Sequence, residues 1–180
     1  MFSKSSLVIA STVLLSSLAS ALSIGGRSTT YLEATTLVPK NGTSALECWR
    51  FASPLSTSAG AGTAGASTLV IDNLANATYT VIPPRFEGGV HNAPHAQLVA
   101  FLSGTIHITI PTDPSAEAWV QGGINGLILA LDTTGSGHNT SYPGNVETRA
   151  LQIPFDEGFV PDHVVLYEGP CQIHSQVVTI

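Results

Sequence analysis

With 180 residues the chain has the length of about one domain, and twelve acidic against six basic residues give it a net charge of −6. No Lys/Arg cluster occurs anywhere in it, which argues against nucleic acid and anionic membrane surfaces as partners. Only 10% of the residues are charged while Ser, Thr, Gly and Ala abound, the composition of a compact secreted β domain rather than of a disordered chain.

The chain opens with "MFSKSSLVIASTVLLSSLASALS": Lys4 in a short polar start, an apolar stretch from Leu7 to Leu18, then Ala19-Ser20-Ala21. That layout predicts a secretory signal peptide over residues 1–21, cleaved after Ala21, and a single domain over residues 22–180. The apolar run is diluted by Ser11, Thr12, Ser16 and Ser17, and it is shorter than the ~20 residues a membrane span needs. An extracellular or secretory-pathway location gives meaning to three sequons, at Asn41, Asn76 and Asn139. It also gives meaning to the only two cysteines, Cys48 and Cys171, which an oxidising compartment would pair. Such a bridge closes a loop worth ~4–5 kcal/mol on the chain-entropy model; the alternative is two buried free thiols.

Strand signals then dominate. In chain order they are "TTYLEATTLV", "ALECWRFA", "STLVID", "ATYTVI", "QLVAFL", "TIHITI", "LILALD", "RALQIPF", "HVVLY" and "CQIHSQVVTI". Between them stand turn signals such as Lys40-Asn41-Gly42, Glu87-Gly88-Gly89, Ser103-Gly104 and Pro143-Gly144. Roughly ten strands at this spacing predict an all-β sandwich or barrel. Residues 53–68, "SPLSTSAGAGTAGAST", are low in complexity and are expected to form a mobile surface loop. A short helical turn is expected only around "DPSAEAWVQ", and no internal repeat divides the chain.

The chemistry concentrates in "HNAPHAQLVAFLSGTIHITI", residues 91–110. Residues two apart on a strand share a face, so an extended 91–101 segment would align His91, His95, Gln97, Val99 and Phe101 toward one interior. Three coordinating side chains in one interior form a metal-site arrangement. Pro94 leaves a second reading open, because it demands an edge or a bulge that shifts this parity. A fourth ligand, His138, follows a tight glycine turn in "LDTTGSGHNTSYPG". Imidazole suits Zn, Fe, Ni and Cu, whereas an amide such as Gln97 is a weak ligand. His107, in "TIHITI", either faces the same cavity as a substrate contact or is a satisfied structural histidine. His163 and His174 are placed outside the site, and Trp49, Trp119, Phe101, Phe155 and Tyr167 are expected in the core or the pocket wall.

These residues resemble a known family. The first cupin motif, G(X)5HXH(X)3,4E(X)6G, is approached with His91 in the first histidine place, Gln97 in the glutamate place and Gly104 closing it. The second, G(X)5PXG(X)2H(X)3N, is approached by Thr133, Gly135 and His138, with Tyr142 replacing the asparagine. A subgroup pattern, "WHxAPRRQ…LSG…DTTGxGH", is similar to "VHNAPHAQ…LSG…DTTGSGH" here. Departures accompany the match: Ala93 stands in the second-histidine place, Arg85 replaces the leading glycine, and His95 stands where the subgroup has arginine. The resemblance covers residues 78–155. It implies a small single-domain cupin, that is, a double-stranded β-helix (a jelly-roll barrel) with a pocket at one mouth. It further implies a divalent transition metal where one is kept (Fe, Mn, Zn, Ni or Cu), and homodimers are common in the family.

Two functions follow as expectations. In the first, the protein is an enzyme acting on a small, largely apolar molecule, with His91 and His138 catalytic and Val99, Phe101 and His107 binding substrate. With a metal held by His91, His95, Gln97 and His138 it would be an oxygenase; without one, an isomerase or cyclase using imidazole as acid or base. In the second, it is a metal-free, non-catalytic secreted binding or surface protein. Fold alone does not choose between them.

Overall fold

The computed structural model describes residues 28–172 and 174–180; the expected signal segment, residues 1–21, lies outside them. In chain order the strands are β1 (Thr30–Lys40), β2 (Thr43–Phe51), β3 (Ser56–Thr57), β4 (Ser67–Thr68), β5 (Thr78–Ile82), β6 (Phe86–His91) and β7 (Gln97–Ser103). They continue with β8 (Thr105–Ile110), β9 (Asp113–Gln121), β10 (Leu127–Ala130), β11 (His138–Tyr142), β12 (Thr148–Pro154), β13 (His163–Glu168) and β14 (Val177–Thr179). A single 3-10 turn, Asp156–Gly158, precedes β13. The protein is therefore all-β, as its composition and turn spacing predict.

Pairing builds one eight-stranded sheet in the order β13-β2-β1-β10-β7-β12-β5, with β14 added on β1, and one four-stranded sheet in the order β6-β11-β8-β9. The larger sheet is mixed, because β1 and β10 run parallel while its other pairs are antiparallel. Among the described residues the two sheets stay open at their edges, and no closed barrel is formed. Their facing surfaces make one core, in which Ile106, Ile108 and Ile110 of β8 meet Leu37, Phe101 and Ile128 of the larger sheet. The other face of the larger sheet is covered too, where Ala34, Trp49, Leu98 and Leu129 pack under Leu69, Ile71 and Phe159. Burial on both faces explains why "QLVAFL" and "LILA" read as continuous apolar runs, while "TIHITI", buried on one face, alternates. Each fully buried Ile contributes about 1.5–3 kcal/mol.

Several local expectations are corrected. "DPSAEAWVQ" is strand, not helical turn: Asp113 Oδ1 accepts from Ser115 N (3.0 Å) and Ser115 Oγ (2.7 Å) to shape the entry, after which Ala118 and Val120 alternate into the core against β8. "STLVID" keeps only Ser67–Thr68 as strand, and Leu69 and Ile71 instead cap the outer core. "CQIHSQVVTI" keeps only Val177–Thr179. Residues 53–68 do lie on the surface, where β3 and β4 form a two-residue hairpin. Trp119, expected inside, is 59% exposed on the outer face of the smaller sheet.

The passage from one sheet to the other runs through Ser103-Gly104. Gly104 has φ +93°, and a Cβ on it would fall 2.0 Å from Thr148 Oγ1, so the turn tolerates no side chain. At the far end of the chain the tail is fastened three times. Cys48 and Cys171 form a disulfide across 123 residues, β14 pairs with the start of β1, and the Gln176 amide grips the main chain of Leu127 through Nε2–H···O (2.7 Å) and N–H···Oε1 (3.0 Å).

Because the bridge closes so long a loop, the paired substitution Cys48→Ala/Cys171→Ala is expected to lower unfolding stability by about 3–5 kcal/mol. Urea titration followed by tryptophan fluorescence measures it, and a loss below about 1 kcal/mol would show that the other two fastenings already hold the tail.

Candidate functional site

Between the sheets, toward the edge where β5 and β12 face β6 and β11, lies a cavity of about 70 Å³. Its polar wall includes His91, Gln97, His138, Thr140, Tyr142 and Gln152; Val99, Phe101 and Ile128 are among its apolar ones. His91, Gln97, Val99, Phe101 and His138, all singled out from the sequence, are thus gathered at one place.

They are gathered by a different route from the one parity suggested. Residues 91–101 are not one strand: β6 ends at His91, residues 92–96 cross between the sheets around Pro94, and β7 begins at Gln97. His91 and Gln97 therefore stand on opposite sheets and face each other across the cavity. The crossing also resets the parity for His95, which is exposed and lines a separate surface recess with Leu131, Thr133 and Phe155. His107 is outside as well. The alternation of Ile106, Ile108 and Ile110 into the core turns it outward, where its ring stacks on Trp119 (3.9 Å between centroids) and Nε2 meets Glu117 Oε2 at 2.7 Å. His163 stacks on Trp49 and its Nδ1 donates to the Pro161 carbonyl.

Two glycine-dependent features bring the histidines of β6 and β11 together. Gly137, at φ +76°, lies so close to β6 that a Cβ would sit 2.6 Å from the His91 carbonyl oxygen, and this approach puts His138 directly opposite His91. A β-bulge then leaves Gly88 unpaired, so that Thr140 opposes Gly89 while Ser141 opposes Glu87. Cross-strand partners share a face, so Phe86 sits with Tyr142 on the cavity side and Glu87 sits with Ser141 on the outer side.

The two rings are 4.6 Å apart between centroids, inclined at 57°. His91 is exposed at the mouth, and its Nδ1 lies 2.9 Å from the Gly89 carbonyl. A carbonyl only accepts, so Nδ1 carries the proton and Nε2 keeps a lone pair. His138 is buried, 5% exposed, with Nδ1 2.7 Å from Asp132 Oδ2. Ser44 Oγ donates to that same oxygen at 2.6 Å. Asp132 has no exposed surface at all, its main-chain carbonyl accepts from Asn92 Nδ2 (2.9 Å), and its Oδ1 is buried without a partner among the described residues. The carboxylate thus fixes the ring and leaves Nε2 of His138 as its free nitrogen. Burial pushes the Tyr142 phenol above its ordinary pKa, which keeps it a hydroxyl donor on the wall.

Asp132 and Ser44 escape a motif-based reading. The available signal was an acidic residue at the end of the otherwise apolar "LILALD", six positions before His138; a carboxylate there must be buried, and a buried carboxylate needs a donor.

The donor set does not suit a resident transition metal. Among the described residues no group of three His, Cys, Asp or Glu side chains converges. His95 faces away, and the one nearby carboxylate, Asp132, is committed to His138 Nδ1. Two imidazoles and a neutral amide would leave a divalent cation weakly held and uncompensated in charge.

Asp132→Asn tests the orienting role. An amide NH2 turned toward His138 donates to Nδ1 and drives the ring proton to Nε2, so ¹⁵N NMR is expected to find Nδ1–H in the native protein and Nε2–H in the variant. Identical ring spectra would remove Asp132 from that role.

Set against protein-family models, curated proteins and solved structures, the chain matches none of them, so a functional reading stands on the geometry of this cavity and on the motifs that surround it.

Proposed function

We propose that the protein is a secreted, cupin-type jelly roll whose cavity binds a small organic molecule and moves a proton on it without a metal, as an isomerase or cyclase does. The supporting observation is the Asp132–His138 pair. A carboxylate and an imidazole buried together contribute little net stability over apolar residues of the same size, so their presence on a cavity wall fits a chemical role better than a structural one. The "DTTGSGH" and "LSG" segments, at the turns that build the cavity, support the cupin-type reading; the disulfide is compatible with passage through an oxidising compartment.

In this mechanism His138 is the base. Its Nε2 takes a proton from the bound molecule, and Asp132 Oδ2, already hydrogen-bonded to Nδ1–H, stabilises the imidazolium that forms. His91, at the mouth, presents a second imidazole 4.6 Å away whose Nε2 draws a proton from solvent and returns it at another position, while His138 releases its own to solvent when the product leaves. Val99 and Phe101 supply apolar wall, which strengthens both hydrogen bonds by excluding water.

Metal analysis by mass spectrometry tests the reading on protein secreted and purified without chelator or nickel resin. Less than about a tenth of an equivalent of Fe, Mn, Zn, Ni or Cu is expected, unchanged after each ion is offered back, because two imidazoles and an amide make a weak site. Near one equivalent, lost in His91→Ala and His138→Ala, would make the protein a metalloenzyme and remove this mechanism.

A further inference from the structure

Gln97 has no role in the proton transfer described above, yet it is the most conspicuous polar group on the opposite wall. It is 5% exposed, lines the cavity, and makes no side-chain hydrogen bond to any described residue. Its amide atoms open onto the cavity, since Asp132 Oδ1 is the one buried side-chain polar atom without a partner among the described residues, so a bound molecule would take the place of water on Gln97. Gln152, on the same wall, accepts from Thr80 Oγ1 through Oε1 (2.9 Å), which leaves its Nε2 hydrogens free as well.

Among the described residues the cavity is lined by no Asp, Glu, Lys or Arg side chain. Arg50 and Arg149 are paired with Glu33 and Glu147, Lys40 with Glu168, and Arg85 with the Asn145 amide, all elsewhere. A carboxylate or phosphate would find no Lys or Arg counter-ion there and would lose its hydration. At about 70 Å³ the space is well under the roughly 150 Å³ that encloses a benzene, so it takes a group of a few heavy atoms.

We infer that the cavity recognises the uncharged carbonyl end of its substrate, with Gln97 Nε2 donating to the carbonyl oxygen while His138 faces the hydrogen on the neighbouring carbon. The inference rests on the acid–base reading of the cavity. In the step, His138 Nε2 takes the α-proton, the C–H pair becomes the C=C bond of an enolate, and the carbonyl π pair moves to the oxygen, where the Gln97 hydrogen bond strengthens. Delivery to carbon of a proton drawn from solvent, while the abstracted one passes to water, completes an exchange; delivery to oxygen gives the enol.

Acetone and acetate have nearly the same shape and differ in charge, which makes them the probes. Acetone is expected to shift the Gln97 side-chain ¹H–¹⁵N resonances saturably, and acetate is not. In D2O the protein should speed exchange of the acetone methyl hydrogens, with at least about a tenfold loss of that acceleration in Gln97→Met, which keeps the side chain's length, and in Gln97→Glu, which repels the oxygen. Circular dichroism checks that both variants fold. Acetate binding as well as acetone, or exchange unchanged in Gln97→Met, would overturn the inference even with the base intact. Acetone that shifts Gln97 in a protein whose exchange equals that of His138→Ala would leave the neutral-oxygen site standing and remove the acid–base reading.

Discussion

A fully buried carboxylate is the constraint around which the smaller sheet and the cavity are arranged. Asp132 follows β10 of the larger sheet, Ser44 lies on β2 of the same sheet, and His138 opens β11 of the smaller one, so the two hydrogen bonds to Oδ2 tie the layers together at one end of the sandwich. Removing His138 breaks a buried pair, at a cost of about 3–5 kcal/mol, and removing the Ser44 hydroxyl leaves the same oxygen one donor short, at about 1–3 kcal/mol. The apolar core needs no such arrangement, since Leu37, Ile106 and Ile108 fill the same interlayer space without polar atoms. What the carboxylate adds is direction: one ring nitrogen is committed and the other is free.

Direction is also set by the main chain. The short "TTGSG" connection brings Gly137 against the His91 carbonyl, and Gly135, at φ +104°, passes close to the Gly42 carbonyl at the β1–β2 turn. Any side chain at Gly137 would push β11 away from β6 and separate the two imidazoles. The bulge at Gly88 works on the opposite face of the problem. In a regular ladder the residue two before Gly89 would point into the cavity, and that residue is Glu87; the extra residue turns Glu87 outward and brings Phe86 in beside Tyr142.

This explains which parts of the molecule were legible beforehand. Strands that bury apolar side chains, such as β1, β7, β8 and β12, announce themselves by composition. The two that carry the histidines do not, because "FEGGVH" and "HNTSY" face a polar cavity on one side and solvent on the other, and neither face demands Val or Ile. Read locally, the glycines of β6 are a turn; only its pairing with β11 makes it a strand. His91, Gln97 and His138 were visible through their motif spacing. His95 leaves the cavity because residues 92–96 change sheets and break the alternation, and of the two places open to His107 the three isoleucines around it, which take the core side, leave the outer one.

Depth divides the labour of the two rings. His91 touches solvent and is held only by a main-chain carbonyl two residues away, so its proton can equilibrate with water whether or not the cavity is filled. His138 is buried and lines the cavity, so an occupant would enclose it between Asp132 and the bound molecule. In the proposed chemistry a proton taken there reaches water by way of the mouth and His91, and the low-dielectric surroundings strengthen the pull of the carboxylate on the imidazolium. The walls make that pull count, since among the described residues no Asp, Glu, Lys or Arg side chain lines the space. Had the bulge been absent, Glu87 would have stood on the cavity face of the same strand as His91, a carboxylate for that imidazole and a further donor for a metal. The one inserted glycine therefore bears on both questions the cavity raises: how little it holds a cation, and how much of the local field belongs to Asp132.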